Sequence, residues 1–405
     1  MTTTSDGASA VATLRTTAAI RERAQQLLHR ARSGDSPWFV VDDDALEHAA
    51  VEVAGLTRTR YPTLAVPYHS RWRHFETGGV DRRSELATRT TDVDTTTQAR
   101  SMIDLAVVSV LLDAGAGPDW HYVESDTGLR LTRSEGLGVA SWHAFCGGLF
   151  SSDPGDPLRA DAAALCHLDV NNLAAAFQVD AGNPLVGLAG RVQLLRRLGT
   201  HLAARPDVFG PHGRPGGMFD TVTGPTVAAH ELLSTLLDTL SGVWLADNAI
   251  DGQPLGDCWR HPAVRGAGLS CGWMPFHKLS QWLTYSLLEP FEWAGVAVTD
   301  LDALTGLPEY RNGGLLLDTG ALRLRDPALA EKDWAVGDEF VVEWRALTVA
   351  LLDELAPLVR RHLSAPQLPL ACVLEGGTWA TGRALAARLR DGRPPLSIIS
   401  DGTVF

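Results

Sequence analysis

The run GWMPFHKLSQWLTYSLLEPF at 272–291 holds ionisable, amide and aromatic side chains at helical spacing. Lys278, Trp282, Tyr285 and Glu289 fall at i, i+4, i+7 and i+11 and share one face, with His277 and Gln281 an i, i+4 pair beside it. Phe276, Leu279, Leu283 and Leu287 take the other side. Pro275 suits the first turn of such a helix, where a missing N–H costs nothing, and Pro290 marks its end. Rings interleaved with polar groups line small-molecule pockets. The same pattern fits a half-buried helix whose polar groups are satisfied by neighbours, and both readings stay open.

Asp104, Asp113, His143, Asp169, His230, Glu231 and Glu343 also stand in apolar or aromatic company. A buried carboxylate of this set would have a raised pKa and could act as general acid, unless an arginine such as Arg345 held it ionised. The run at 69–83 gathers Arg71, Arg73, His74, Arg82 and Arg83 around aromatic rings and the Gly78-Gly79 pair. It fits a phosphate or carboxylate ligand, or equally ion pairs with the acidic surplus of the chain. His230-Glu231 begins like H-E-x-x-H, but residue 234 is serine, which removes the second zinc ligand. There is no G-x-S-x-G, no G-x-x-x-x-G-K-[ST], and no G-x-G-x-x-G after a strand. No metal and no cofactor are expected.

The elements that must position these groups are mostly helical. Residues 1–12 are small and polar and read as a disordered tail, and 13–405 read as one mainly helical domain with small β elements. Apolar periodicity predicts helices over 14–32, 99–114, 185–204, 226–245 and 340–363, and another beginning near Ser141. DWHYVES and GLRLTRSEG predict a short strand or hairpin, and PEYRNGGLLLDTGALRL a turn followed by strand. The final stretch from LACVLEGGTWATGR onward predicts a strand, a glycine-rich turn, a helix and an extended tail.

Asp+Glu 48 against Lys+Arg 35 gives a formal charge of −13, which argues against nucleic acid or an anionic membrane as the main partner. The five cysteines are scattered and form no C-x-x-C pair, so neither a disulfide framework nor a zinc ribbon is expected. The start lacks a charged segment followed by an apolar one, and no stretch approaches the roughly 18 apolar residues of a membrane span. A cytoplasmic protein is expected, and its oligomeric state is not legible.

WRHFETGGVDR, MIDLAVVSVLLDAGAG, GLGVASWHAF, RPGGMFD, PFHKLSQWLTYSLLEP, EYRNGGLLLDTG, EGGTWATGR and PPLSIISDGTVF together resemble the uracil-catabolism protein four family of fungi and bacteria, formerly a domain of unknown function. The resemblance runs from about Trp38 onward. More distantly, the buried helix and turn at 102–120, the G-x-x-x-W start at 138–142, the G-R-V-x-x-L helix at 190–194 and E-W-R-A-x-T at 343–348 resemble the queuosine salvage proteins. Those are N-glycosylases that act on queuosine 5′-phosphate and share a helical fold with helix-hairpin-helix DNA glycosylases. Where they carry F-A-D-Y-R, this chain is matched at Phe276-His277-Lys278-Leu279-Ser280, which puts Lys278 in place of an aspartate.

The resemblance implies uracil (pyrimidine) catabolism, with an N-ribosyl hydrolase that cleaves a ribosylurea, 5′-phosphorylated, and releases urea. It implies Glu231 or Asp169 as the activating carboxylate, Lys278 and His277 near the sugar or leaving group, Trp142 and Trp282 as walls, and Arg73 and Arg345 on the phosphate. His74, His143, His230 and Gln281 complete the expected substrate site. A binding or scaffold protein of the same pathway, and an amidohydrolase acting on the urea moiety, are the competing expectations.

Overall fold

The computed structural model describes residues 3–90, 94–246 and 248–399. Among these, helices dominate and the strands form only two-stranded pairs. This is the mainly helical architecture with small β elements that the patterning implies. No helix among the described residues is long and apolar enough to cross a membrane. Contacts divide the chain into two compact units assembled from separated stretches, the first from Met1–His69, Asp247–Gln281 and Asp300–Ser400, the second from Ser70–Ala246 and Trp282–Thr299.

The first unit is built on the helix Glu339–Leu363, whose residues from Phe340 to Leu352 are all buried. Such all-round apolarity requires cover on every side. The helices Thr17–Arg32 and Asp43–Arg60 supply much of it. Each begins at a side-chain cap: Thr16 accepts the N–H of Ala19 at 3.1 Å, and Asp42 that of Ala45 at 3.1 Å. The helix read at 14–32 therefore begins only at Thr17, after its cap Thr16, and Leu14 ends the helix before it. Thr3–Leu14 is itself a helix, and Ala10, Val11 and Leu14 bury with Ile250, Leu255, Cys258 and Trp273. This corrects the disordered tail expected at 1–12: three apolar residues on one stripe were hidden in a polar composition. Met1 and Thr2 lie outside the described residues.

Further readings change here. Pro275 belongs to the strand Trp273–Pro275, antiparallel to Cys258–Arg260, and the helix begins only at Lys278. Pro290 lies inside that helix, which runs on to Trp293. The expected turn and strand at 308–324 is mostly the helix Tyr310–Asp318, with only Leu322–Leu324 extended and paired with Phe39–Val41. The sequence EGGT is no turn: Leu374–Thr378 is a π-helical segment between the helices Leu370–Val373 and Trp379–Arg390. Gly376 and Gly377 there face Thr57 and Val53, so the glycines serve close helix packing. Ser397–Ile399 pairs with Asp333–Ala335, and residues 400–405 of the expected tail lie outside the described part.

The second unit centres on the buried helix Thr95–Leu111, capped by Asp94 through the N–H of Thr97 at 3.0 Å. Against it packs Arg133–Cys146, which starts well before the Ser141 expected. Two glycines masked its first turns, and Gly138 is required because a Cβ there would press on His74 and Arg71. Leu188–Ala204 and Ala229–Leu240 follow the predicted periodicity, the latter preceded by a strand, Thr226–Ala228, parallel to Ala297–Thr299. Tyr122–Val123 and Arg130–Leu131 form the expected hairpin.

The helix Trp379–Arg390 packs on Tyr310–Asp318 through Gly382, where an added Cβ would collide with the carbonyl oxygen of Arg311. Gly382→Ala therefore lowers stability by about 1–3 kcal/mol, as overpacking does. Chemical denaturation of the two proteins checks this.

Candidate functional site

In the first unit the start of the helix Lys278–Trp293 hangs on Asp257. This buried carboxylate accepts both forks of Arg345 at 2.8 Å each, the indole N–H of Trp259 at 2.7 Å and the backbone N–H of Lys278 at 3.0 Å. Its backbone carbonyl also accepts from Phe276 and His277 at 2.9 and 3.2 Å. Burial alone would raise the Asp257 pKa, but the Arg345 charge and the hydrogen bonds from Arg345, Lys278 and Trp259 together outweigh it and hold the carboxyl below the usual range. Asp257 thus satisfies the first backbone N–H of the helix from a distant point in the chain.

His277 takes a left-handed backbone with φ of 49° to make this entry. Its Nε2 donates to the carbonyl of Leu14 at 2.9 Å and lies 3.6 Å from the sulfur of Cys258. Burial pushes its pKa down, so the ring is neutral and its bonding is structural. Gln281, one turn on, accepts the N–H of Thr305 at 2.8 Å and donates to the Thr305 hydroxyl at 2.6 Å and to the Phe276 carbonyl at 3.0 Å. Arg345 donates further to the carbonyl of Pro308 at 3.3 Å and lies 4.0 Å over the Phe276 ring. Arg345 is therefore committed to a buried ion pair, a correction to its expected phosphate role.

Gln281 and Arg345 together fix the wholly buried segment 304–309, which ends at Glu309. Glu309 is the N-cap of Tyr310–Asp318: its oxygens accept the N–H groups of Arg311 at 2.7 Å and Asn312 at 2.6 Å. Burial raises its pKa; the two N–H groups and the charges of Lys278 and His69 work the other way without cancelling the shift. Lys278, half-buried, sits in the field of this carboxylate. A second buried carboxylate, Glu375, stands in the π-helical segment. It takes Nδ1 of His69 at 2.9 Å, Arg60 at 2.9 Å and Tyr61 at 3.2 Å. Burial would raise Glu375, but His69 and Arg60 hold it below the usual range. Asp257, Glu309, His69 and Glu375 were not singled out by spacing. The available signal was an acid directly before a helix start in PEYRNGG, and the glycine-flanked acid of EGGT.

The remaining expected residues lie in the second unit and do not form one cluster. Arg73 pairs with Glu289 at 2.6 Å and Glu76 at 3.1 Å, and Ser70 donates to Glu289 at 2.6 Å. His74 meets Trp282 edge-on at 5.8 Å, and Arg71 stacks over the same ring at 5.7 Å. Arg71 is fully buried, pairs with Asp113 at 3.0 Å and donates to Ser109 at 2.6 Å. Trp142 lies edge-on to His143, whose Nε2 is 2.8 Å from Glu124. Asp169 is an exposed N-cap that accepts the N–H of Asn171 at 2.8 Å. His230 bonds Ser234 within its helix at 3.2 Å.

Glu231 is exposed, caps the N–H of Ala228 at 3.3 Å, and borders a groove of about 380 Å³ with Thr221, Thr223, Thr226 and Thr235. Both carboxylates expected to activate water, Glu231 and Asp169, thus act as helix caps at the surface.

Among the described residues one group has metal-ligand spacing, His261 with Glu339 and Glu343. The N–H of Ala263 donates to His261 Nδ1 at 3.2 Å, so the ring proton is on Nε2, 3.2 Å from Glu343. Arg30 also pairs with Glu343 at 2.6 Å and Ser36 bonds it. These protons satisfy the cluster and oppose a cation there.

A mainly helical chain with two buried, oppositely shifted carboxylates in one unit is thus what the comparisons with known proteins meet. Residues 13–405 match the family described as protein of unknown function (DUF1688), and the chain belongs to that family. It is similar to the protein named Protein urg3 of Schizosaccharomyces pombe, with 41% identity over 399 residues covering 95% of this chain and 96% of that one. It is also similar to Uracil catabolism protein 4 of Lachancea kluyveri, with 38% identity over 398 residues and 90% of each chain.

The His143 partner Glu124 generates a pH prediction. Burial raises its pKa, but Arg82, Thr127 and His143 outweigh this and bring it to about 2 against 4.5 for a free glutamate. A depressed carboxylate stabilises the fold above its unfolded pKa and loses that contribution as pH falls through the folded one. Melting temperature drops between about pH 4.5 and pH 2. Glu124→Gln costs about 3 kcal/mol at pH 7, by leaving Arg82 unpaired, and the two proteins converge at the acid end of a thermal-melt series.

Proposed function

We propose that this chain acts in uracil catabolism as an N-ribosyl hydrolase that splits the N-glycosidic bond of a ribosylurea, 5′-phosphorylated, and releases urea. The printed name of the Lachancea kluyveri relative supports the pathway. The observation that carries the chemistry is Glu309, a buried carboxylate fixed by two backbone N–H groups beside Lys278. Cleavage of an N-glycoside passes through an oxocarbenium-like transition state, which needs a negative group near C1′ and an activated water. Burial makes Glu309 a stronger base than a free glutamate, and the helix N-terminus holds it in one orientation. Lys278 donates to the urea oxygen as charge builds on the leaving group.

Glu309 takes the part expected of Glu231 or Asp169.

Incubation of the pure protein with ribosylurea and with its 5′-phosphate, with urea as readout, tests the proposal and reports which form is used. Urea is expected, with an acid limb in kcat/KM above the range of a free glutamate. Glu309→Gln lowers kcat by about 10²–10⁴-fold while retaining its helical circular dichroism. Ammonia in place of urea identifies an amidohydrolase, and tight binding without turnover a binding protein; either overturns the proposal.

A further inference from the structure

We propose that His69 is the general acid that protonates the urea leaving group, with Glu375 as the residue that orients it. The inference rests on the hydrolase reading and adds the proton donor that reading lacks. Urea is a poor leaving group, so departure of its nitrogen from C1′ without a proton is slow. Glu309 cannot be both base and donor in one step, and His277 is tied to the Leu14 carbonyl.

His69 has the geometry of an oriented acid. The backbone N–H of His69 donates to Ala371 at 3.0 Å, which fixes the residue against the helix preceding the π segment. Its Nδ1 is 2.9 Å from Glu375 Oε2, and the ring stands 6.0 Å from that of Trp379. A carboxylate on Nδ1 sets the tautomer and makes Nε2 the nitrogen that gives and regains a proton. Glu375 reaches this position because the backbone widens to π-helical pitch there, an irregularity that recurs at functional sites. Arg60 and Tyr61 hold the other carboxylate oxygen, so Glu375 stays ionised and does not itself take the proton. Of the charged groups around it, Glu375 contacts His69 directly and Glu309 interacts with it through space, while Arg60 acts on Glu375 and Lys278 on Glu309.

The step balances as follows. The C1′–N bond breaks and its electron pair goes to the urea nitrogen, which gains a proton from His69 Nε2. Water adds its oxygen to C1′ and gives a proton to Glu309, and exchange with solvent resets both groups. The products are the ribose and urea.

The test compares ribosylurea (in the phosphorylation state that wild type uses) with a nitrophenyl ribofuranoside bearing the same 5′ group, whose leaving group needs no proton. Expected for His69→Asn is a loss of about 10²–10⁴-fold on ribosylurea and of less than tenfold on the activated substrate, the retained activity proving a folded site. Glu375→Gln shows the same discrimination to a smaller degree, whereas Glu309→Gln impairs both substrates alike. Should His69→Asn fail to fold, the wild-type profile decides: an alkaline limb in kcat/KM for ribosylurea that is absent for the activated substrate supports the donor. Equal losses on both substrates, or an alkaline limb common to both, overturn the role of His69 and leave the hydrolase intact. A wild-type protein that releases no urea overturns both readings.

Discussion

The buried ion pair of Asp257 with Arg345 is the constraint from which the candidate site follows. Two charges taken out of water pay a desolvation cost that their attraction repays only with good geometry and further hydrogen bonds. Both conditions are met: the fork is bidentate at 2.8 Å, and Trp259 and the Lys278 backbone satisfy further positions on the carboxylate. A well-packed apolar pair could match its stability. What the charged pair adds is direction, because one carboxylate caps the Lys278–Trp293 helix while its guanidinium holds the Pro308 carbonyl one residue before Glu309.

From this node the two candidate groups are placed by different means. Lys278 is set by the first turn of its helix, where the strained His277 backbone turns the chain out of a strand. Glu309 is set by the segment before it, fastened to Gln281 through Thr305, and by its own two N–H bonds. A carboxylate at a helix N-terminus also feels the positive end of the dipole. That favours the ionised form and offsets part of the burial penalty, while the net shift of Glu309 remains upward.

The fold class and the buried helices at Thr95–Leu111 and Glu339–Leu363 were legible because continuous apolar periodicity survives without tertiary information. What failed shares one cause. Pro275, the glycines of Arg133–Cys146, and Gly376-Gly377 were read as local punctuation, whereas neighbouring backbones and side chains decided their conformations. The stripe from Lys278 to Glu289 is a real helix face, but its members do not share one role. Glu289 is raised by burial and answered by Arg73 and Ser70, as structural polar groups are. Glu309 escaped notice because a glutamate before Tyr-Arg-Asn gives no periodic signal; only the fold brings residues 69, 278, 309 and 375 into one unit.

Glu309 and Glu375, two of the buried carboxylates of that unit, separate by their counter-charges, since burial acts on both in the same direction. Glu375 has Arg60 and His69 in direct hydrogen-bond contact, and they pull it below a free glutamate. Glu309 has only neutral amides in contact, with Lys278 and His69 acting through space, and it stays above. Groups driven apart in this way suit opposite tasks: one keeps its charge through a reaction cycle, the other exchanges a proton within it. Glu375, held below the usual range, is therefore suited to hold an imidazole, and Glu309, raised above it, to meet a water molecule, a division of labour set by which carboxylate was given arginine.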